Sequence, residues 1–173
     1  MPILSVLRPL YEDWRYNATM TEGKRLEDDF MKSFSGKVFI HRLKTRSSGY
    51  ANDNEIADFM IYDKGTLFIF ETKATKEKRL PFAMIRVNQA TGIYNAVKHE
   101  GVIGGILVRL YTTGHHFFVP IYVIEEYLND GKKSIPLADM QERSDIVELH
   151  PKKKRVSYEF DITMLDSIRE DWK

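Results

Sequence analysis

Cysteine is absent from these 173 residues. Neither a disulfide framework nor a Cys-based zinc site can therefore exist, a composition that fits a cytoplasmic protein. No stretch is long and apolar enough to span a membrane, and the first residues lack a signal-peptide pattern, so no membrane is expected as a partner. Surplus charge is missing too. The 26 Lys and Arg face 25 Asp and Glu, for a net charge of +1. Any affinity for nucleic acid must then come from local patches. There is no His-Glu-x-x-His spacing, no Walker loop and no Gly-x-Gly-x-x-Gly fingerprint. His41, His99 and His150 are scattered. His115 and His116 are neighbours that face opposite sides of a strand, so they form no simple paired ligand set. No internal repeat or low-complexity linker is visible.

What is present suits one domain over residues 1–173, with enough apolar sequence for a real core. Residues 1–20 hold Tyr11, Trp14 and Tyr16 among charges and read as an N-terminal arm or capping segment. Leu26, Phe30 and Phe34 repeat at four-residue spacing, which predicts an amphipathic helix over Thr21 to Phe34 with Thr21 as N-cap. Glu27 lies about 100° round from Leu26, on the border of the apolar face, and Gly23 leaves space beside it. Lys37 to Leu43 reads as a first strand. Lys44 to Glu55 is polar and reads as an exposed loop. Asn88 to His99 reads as a helix with Ala90, Tyr94 and Val97 toward the core and Gly101 just beyond it. Ile103 to Leu110 and Phe117 to Val119 read as strands, and Ile121 to Leu128 as a short helix. Gly131 to Lys173 mixes polar loops with Ile146-Val147, Val156 to Phe160 and a last helical turn around Leu165 and Ile168. The order implies an α/β or α+β domain around a central mixed β-sheet flanked by helices.

The chemistry concentrates in two apolar runs, Ile56 to Tyr62 and Thr66 to Lys73. Each carries an acid where a strand would bury it, Asp58 and Glu71. A buried acid is costly unless something satisfies it. Asp63-Lys64-Gly65 between the runs reads as a tight turn. If Lys64-Gly65 is the two-residue loop, Asp63 faces Thr66, Tyr62 faces Leu67, and continuing the ladder puts Asp58 opposite Glu71. Directly opposed residues share a face with Cβ atoms roughly 4.5–5.5 Å apart. A one-residue slip would put Asp58 on the wrong side. Two carboxylates at that separation repel unless a cation lies between them, and oxygen ligands with room for water suit Mg²⁺ or Mn²⁺. Lys73 shares the face of Glu71 and could hold a phosphate or polarise an attacking water. Together these groups suit phosphodiester cleavage. Basic residues expected to bind DNA phosphates flank them: Lys76, Lys78 and Arg79 after the second run, and Arg42, Lys44 and Arg46 before the first. Pro151-Lys-Lys-Lys-Arg-Val156 looks like a nuclear-localisation signal, but a basic turn facing DNA or solvent is the commoner explanation for such a run.

Ala57-Asp58 and Glu71-Thr72-Lys73 resemble the two motifs of the PD-(D/E)xK nuclease superfamily. More narrowly, the chain resembles RecU, the Holliday-junction resolvase family of low-GC Gram-positive bacteria and their phages. The resemblance is carried by Gly23 to Glu27, Phe39 to Leu43, Ile56 to Phe59 with Phe70 to Lys73, and then Asn88-Gln89, Gly104-Gly105-Ile106 and Gly131 to Ile135 in the family's order. It implies a restriction-endonuclease-like core, a homodimer, and symmetric nicking of four-way DNA junctions with Mg²⁺ or Mn²⁺. By resemblance, Asp58 and Glu71 bind the metal and Lys73 orients or activates water. Glu27 is then an outer ligand, and Gln89 positions the water or the scissile phosphate. One departure stands out. Family members insert a long stalk between the first two strands, and here only Lys44 to Glu55 is available. That short, stalk-like loop keeps a second reading open: a structure-specific or restriction-type endonuclease acting on duplexes, flaps or forks. A third is a DNA-binding protein on the same fold with little cutting activity. The intact Asp, Glu and Lys argue against it.

Overall fold

The computed structural model describes residues 20–43 and 55–172. The N-terminal arm, and Lys44 and Arg46 on the stalk-like loop, lie outside them. Helix α1 (Met20–Phe34) carries Glu22 in its first turn and Lys32 in its last, the charge order that the helix dipole favours. Gly36, at φ 78°, ends it in the left-handed region and turns the chain toward β1 (Phe39–Arg42). Strands β2 (Phe59–Asp63) and β3 (Thr66–Thr75) form a hairpin. Its loop is Lys64-Gly65, with φ of 47° and 80°. Positive φ at both central residues is the primed turn that matches strand twist. The ladder pairs Asp63 with Thr66, Tyr62 with Leu67 and Phe59 with Phe70, the expected register.

Beyond the hairpin come β4 (Arg79–Pro81), a 3₁₀ turn (Phe82–Met84) and α2 (Val87–Ala96). Next are β5 (Val102–Leu110), β6 (His115–Pro120) and α3 (Ile121–Asn129). The chain then forms β7 (Ser134–Pro136), α4 (Leu137–Glu142) and β8 (Val147–Leu149). It ends in a small hairpin, β9 (Lys152–Lys153) with β10 (Tyr158–Glu159), and in α5 (Met164–Asp171). The main sheet has the order β1-β2-β3-β5-β6-β8. Among the described strands only β3 and β5 pair in parallel, and their crossover runs through β4 and α2. A mixed sheet with helices on both faces is an α+β fold of the nuclease-like kind.

Two apolar layers hold it. On one face, Ala90 and Ile93 of α2 and Val123, Ile124 and Leu128 of α3 pack on Ile69, Ile106 and Val108. On the other, Leu26, Phe30 and Phe34 of α1 meet Phe59, Phe68, Phe70 and the α5 residues Leu165 and Ile168. Phe30 is the pivot of this second layer. Its ring centroid lies 5.3 Å from Phe59 and 5.6 Å from Phe70, so α1 is fixed over the hairpin. The α2 side packs unusually close. A Cβ on Gly104 would fall 2.7 Å from Ile93 Cγ2, so glycine there lets the helix approach the central strand.

Several elements differ from the sequence reading. Thr75 to Arg79 reads as a charged connection, but Arg79 begins β4, which pairs with β7. Leu137 to Glu142, read as polar loop, is the short helix α4. Both are short elements, and neither has room to display a period.

Candidate active site

The residue just before β2, Asp58, and the second half of β3, which carries Glu71 and Lys73, build the site. Along β3, Ile69, Glu71 and Lys73 point to the α2 face, and Phe70 and Thr72 to the α1 face. Glu71 is 1% exposed. Its Oε1 accepts from Lys73 Nζ at 2.5 Å and from Gln89 Nε2 at 2.7 Å. Lys73 Nζ also lies 3.3 Å from Gln89 Oε1. Gln89 sits at the start of α2, where its Oε1 also accepts the Arg86 N–H at 3.2 Å. The residue therefore both caps its helix and touches the acid.

Asp58 is 2% exposed. Here the ladder departs from the expectation by one step. The last β2–β3 pair is Phe59 with Phe70, and the Asp58 N–H turns to the Phe70 carbonyl at 3.0 Å instead of pairing with Glu71. Two successive residues opposite one is the arrangement of a bulge. The Asp58 carboxylate then lies over Thr72. Its Oδ2 accepts the Thr72 backbone N–H at 2.8 Å and the Thr72 hydroxyl at 2.7 Å. Asp58 thus rests on Thr72, the chain neighbour of Glu71, rather than facing Glu71 across a regular ladder. Thr72 had no expected role. The signal for it was its place between Glu71 and Lys73, but alternation alone pointed it away from the acids.

Glu27, half-buried on α1, pairs with the Arg42 guanidinium, and Asp28 lies 3.7 Å from the same group. Arg42 stands opposite Phe59 in the β1–β2 ladder, and its guanidinium carbon is 5.8 Å from the Phe59 ring. Glu27 is therefore set beside the strand end that carries Asp58, held by a cation that sequence had assigned to DNA. Lys76, Lys78 and Arg79 are exposed just past β3, with Arg79 Nε 2.5 Å from Glu77.

The donor set fits a hard divalent cation. It is oxygen-only and built on two buried carboxylates. No group of three or more His, Asp or Glu able to hold an ion occurs among the described residues. Mg²⁺ keeps several waters and is bound by one or two carboxylates, so the two buried acids are donors of the kind it takes.

A central mixed sheet, with two acids, a lysine and a glutamine at one strand end, defines a nuclease-like class. The comparisons narrow it. The family model described as Recombination protein U, RecU, matches residues 37–162, which include Asp58, Glu71, Lys73 and Gln89. The chain belongs to the RecU family of Holliday-junction resolvases, nucleases that act on DNA junctions. It is also similar to the SPbeta prophage-derived uncharacterized protein YotM of Bacillus subtilis strain 168. The two are 28% identical over 83% of this chain and 84% of the relative.

Proposed function

We propose that the protein is a divalent-metal-dependent endodeoxyribonuclease that resolves four-way DNA junctions by paired nicks, one from each subunit of a homodimer. The observation that carries this reading is the Glu71–Lys73–Gln89 network, with Asp58 held one step away on Thr72. Asp58 and Glu71 would hold Mg²⁺ or Mn²⁺. When bound, such an ion supplies positive charge against the developing charge of the phosphate and favours ionisation of an attacking water. Lys73 presents a fixed donor beside Glu71, able to orient that water or to stabilise charge on a phosphate oxygen. Gln89 holds Lys73 and Glu71 in register through one amide. Thr72 fixes the Asp58 carboxylate by two hydrogen bonds. Lys76, Lys78 and Arg79 lie where they can meet phosphates flanking the scissile bond. Glu27 positions Arg42 at the strand end.

The test is a cleavage panel with a four-way junction, a fork, linear duplex and single strand, with and without Mg²⁺. Metal-dependent, symmetric cutting of the junction is expected. Asp58→Asn and Glu71→Gln should abolish cutting while DNA binding and thermal unfolding persist. Wild-type rates from either variant would overturn the assignment. The short connection from Lys44 to Glu55 favours one second reading, a structure-specific or restriction-type endonuclease. Equal cutting of linear duplex and junction would select it.

A further inference from the structure

A second charged feature lies beside the catalytic strand. A cleft of about 270 Å³ is lined by Arg25, Arg109, Tyr111, Lys153, Lys154 and Arg155, among others. Its cations come from three separate places: α1, the end of β5, and the β9–β10 hairpin. The fold, not one sequence run, assembles them. The whole chain carries a net charge of only +1, so five cations around one cleft are a local surplus.

Counter-charge within the cleft is limited. Asp29 is the one acid in the lining. It accepts the Tyr158 N–H at 3.0 Å, and burial raises its pKa above the ordinary carboxylate value. Glu22 reaches Arg25 at 2.9 Å and Arg109 at 3.1 Å, and Glu159 reaches Lys154 at 2.8 Å. Among the described residues, neither Lys153 nor Arg155 forms an ion pair, and Arg109 Nε has no hydrogen-bond partner. Like charges held together repel, so a surplus of this kind is most easily balanced by an external anion. The Lys-rich run is also not free to be read as an extended peptide. Lys152 and Lys153 are paired with Glu159 and Tyr158 in the hairpin. This disfavours the nuclear-localisation reading.

Position relates the cleft to the active site. Arg109 stands opposite Ala74 in the β3–β5 ladder, one residue past Lys73, and the Tyr111 N–H donates to the Thr75 carbonyl at 3.0 Å. By alternation Arg109 faces the α1 side and Lys73 the α2 side. The cleft therefore opens near the same end of β3 and β5 as the active site, on the opposite face of the sheet.

We infer that this cleft is a second subsite for the phosphodiester backbone, holding a stretch of the DNA substrate away from the bond being cut. The inference rests on the nuclease reading for the identity of its ligand. Its ligand chemistry is phosphate, with the backbone of DNA as the source.

The test compares two triple variants of the full chain. One is Lys153→Ala with Lys154→Ala and Arg155→Ala. The control removes three exposed lysines elsewhere: Lys98→Ala, Lys132→Ala and Lys133→Ala. Binding to a fluorescent four-way junction is followed by anisotropy in metal-free buffer over a range of salt. The hairpin variant should bind at least ~10-fold more weakly near ~100 mM salt. Its slope of log K against log salt should fall by about two, since Lys153 and Arg155 are, among the described residues, the two of these cations without an ion pair and each phosphate contact contributes about 0.9. The control should change far less, and both should unfold at the wild-type temperature. Inorganic phosphate at millimolar concentration should compete poorly, as expected for a backbone subsite. Tight binding of free phosphate, lost in the hairpin variant while DNA binding is kept, would overturn the assignment. So would poly-glutamate competing as well as DNA, or equal binding losses in the two variants. Cutting assays separate the two readings. A wild type that binds through the hairpin but cuts nothing keeps the cleft and removes the nuclease. A wild type that cuts, with a hairpin variant that binds like the control, removes the cleft alone. No DNA binding at all removes both.

Discussion

At the scale of single residues, the site is a small set of donors holding two acids in place. Lys73 is close to buried and lies against Glu71, so replacing it has two consequences. Lys73→Met should lower the cleavage rate by about 10²–10⁴-fold, the range for loss of one positioned donor or acid–base group. It should also cost about 1–3 kcal/mol of stability by leaving Glu71 without its ion partner, discounted from a fully buried pair because Lys73 keeps some contact with solvent. DNA affinity should change little. Replacing Lys76, Lys78 and Arg79 together should do the reverse, weakening binding and flattening its salt dependence with the fold intact. Equal effects of the two changes on rate and affinity would show the roles to be misassigned. His116 illustrates a residue whose expected role was negative and whose structural role is large. It is buried, with its Nδ1 3.1 Å from the Gly114 carbonyl and its ring 4.8 Å from Tyr158. Burial first, and the Arg109 charge second, lower its pKa from 6.5 to about 4. The unfolded chain takes up this proton below about pH 6.5 while the folded chain refuses it until about pH 4. Stability from this group is thus full above pH 6.5, falls between 6.5 and 4, and is constant below. The total is on the order of 3 kcal/mol at about 1.4 kcal/mol per unit. Urea titrations at several pH values should show a shallower acid loss for His116→Phe than for wild type.

At the scale of elements, the hairpin was the most legible part of the chain. A Gly at the turn and apolar runs on both sides define its register, and a one-residue slip would move Phe68 and Phe70 out of the α1 layer and put Leu67 and Ile69 in their place. The bulge at Asp58 was not legible, because a period-2 pattern carries no sign of an extra residue. The helices α1, α2 and α3 were legible from spacing of large apolar residues. Strands β4 and β7 and helix α4 were not, since three to six residues cannot establish a period and their pairing is non-local. Within the candidate site, the burial of Asp58 and Glu71 and the contact of Glu71 with Lys73 could be read from residue type and strand alternation. Thr72 could not, because its role depends on which carboxylate comes to lie above it. Strand β5 offers a test of how tightly these elements fit. A Cβ on Gly105 would lie 2.2 Å from the Val119 carbonyl oxygen and 2.9 Å from the Phe118 ring. The first contact is with backbone, which cannot step aside like the end of a side chain. Gly105→Ala should therefore destabilise the protein by about 1–3 kcal/mol or more, read by chemical denaturation. A variant as stable as wild type would mean that β5 and β6 pack less closely than described.

At the scale of the whole molecule, the proposed reaction needs two active sites related by a two-fold axis, because the exchanging strands of a junction are so related. The 20.3 kDa chain should sediment with twice its own mass. A strict monomer that cuts linear duplex as readily as a junction would remove the resolvase reading and leave a nuclease. Strand β3 ties this assembly question to how the chain reaches its native state. Its pairing with β2 closes a two-residue loop, whereas its pairing with β5 must wait for the whole stretch from Lys76 to Gly101 to be gathered in. Short closures are entropically cheap and long ones slower to form. The two acids can therefore be brought near each other while both are still wet. Glu71 loses its water only when α2 lands on the sheet, and α2 is the element that carries Gln89. The element that covers the carboxylate is the one that carries its amide partner, so burying Glu71 in this fold need not strand a bare charge in oil.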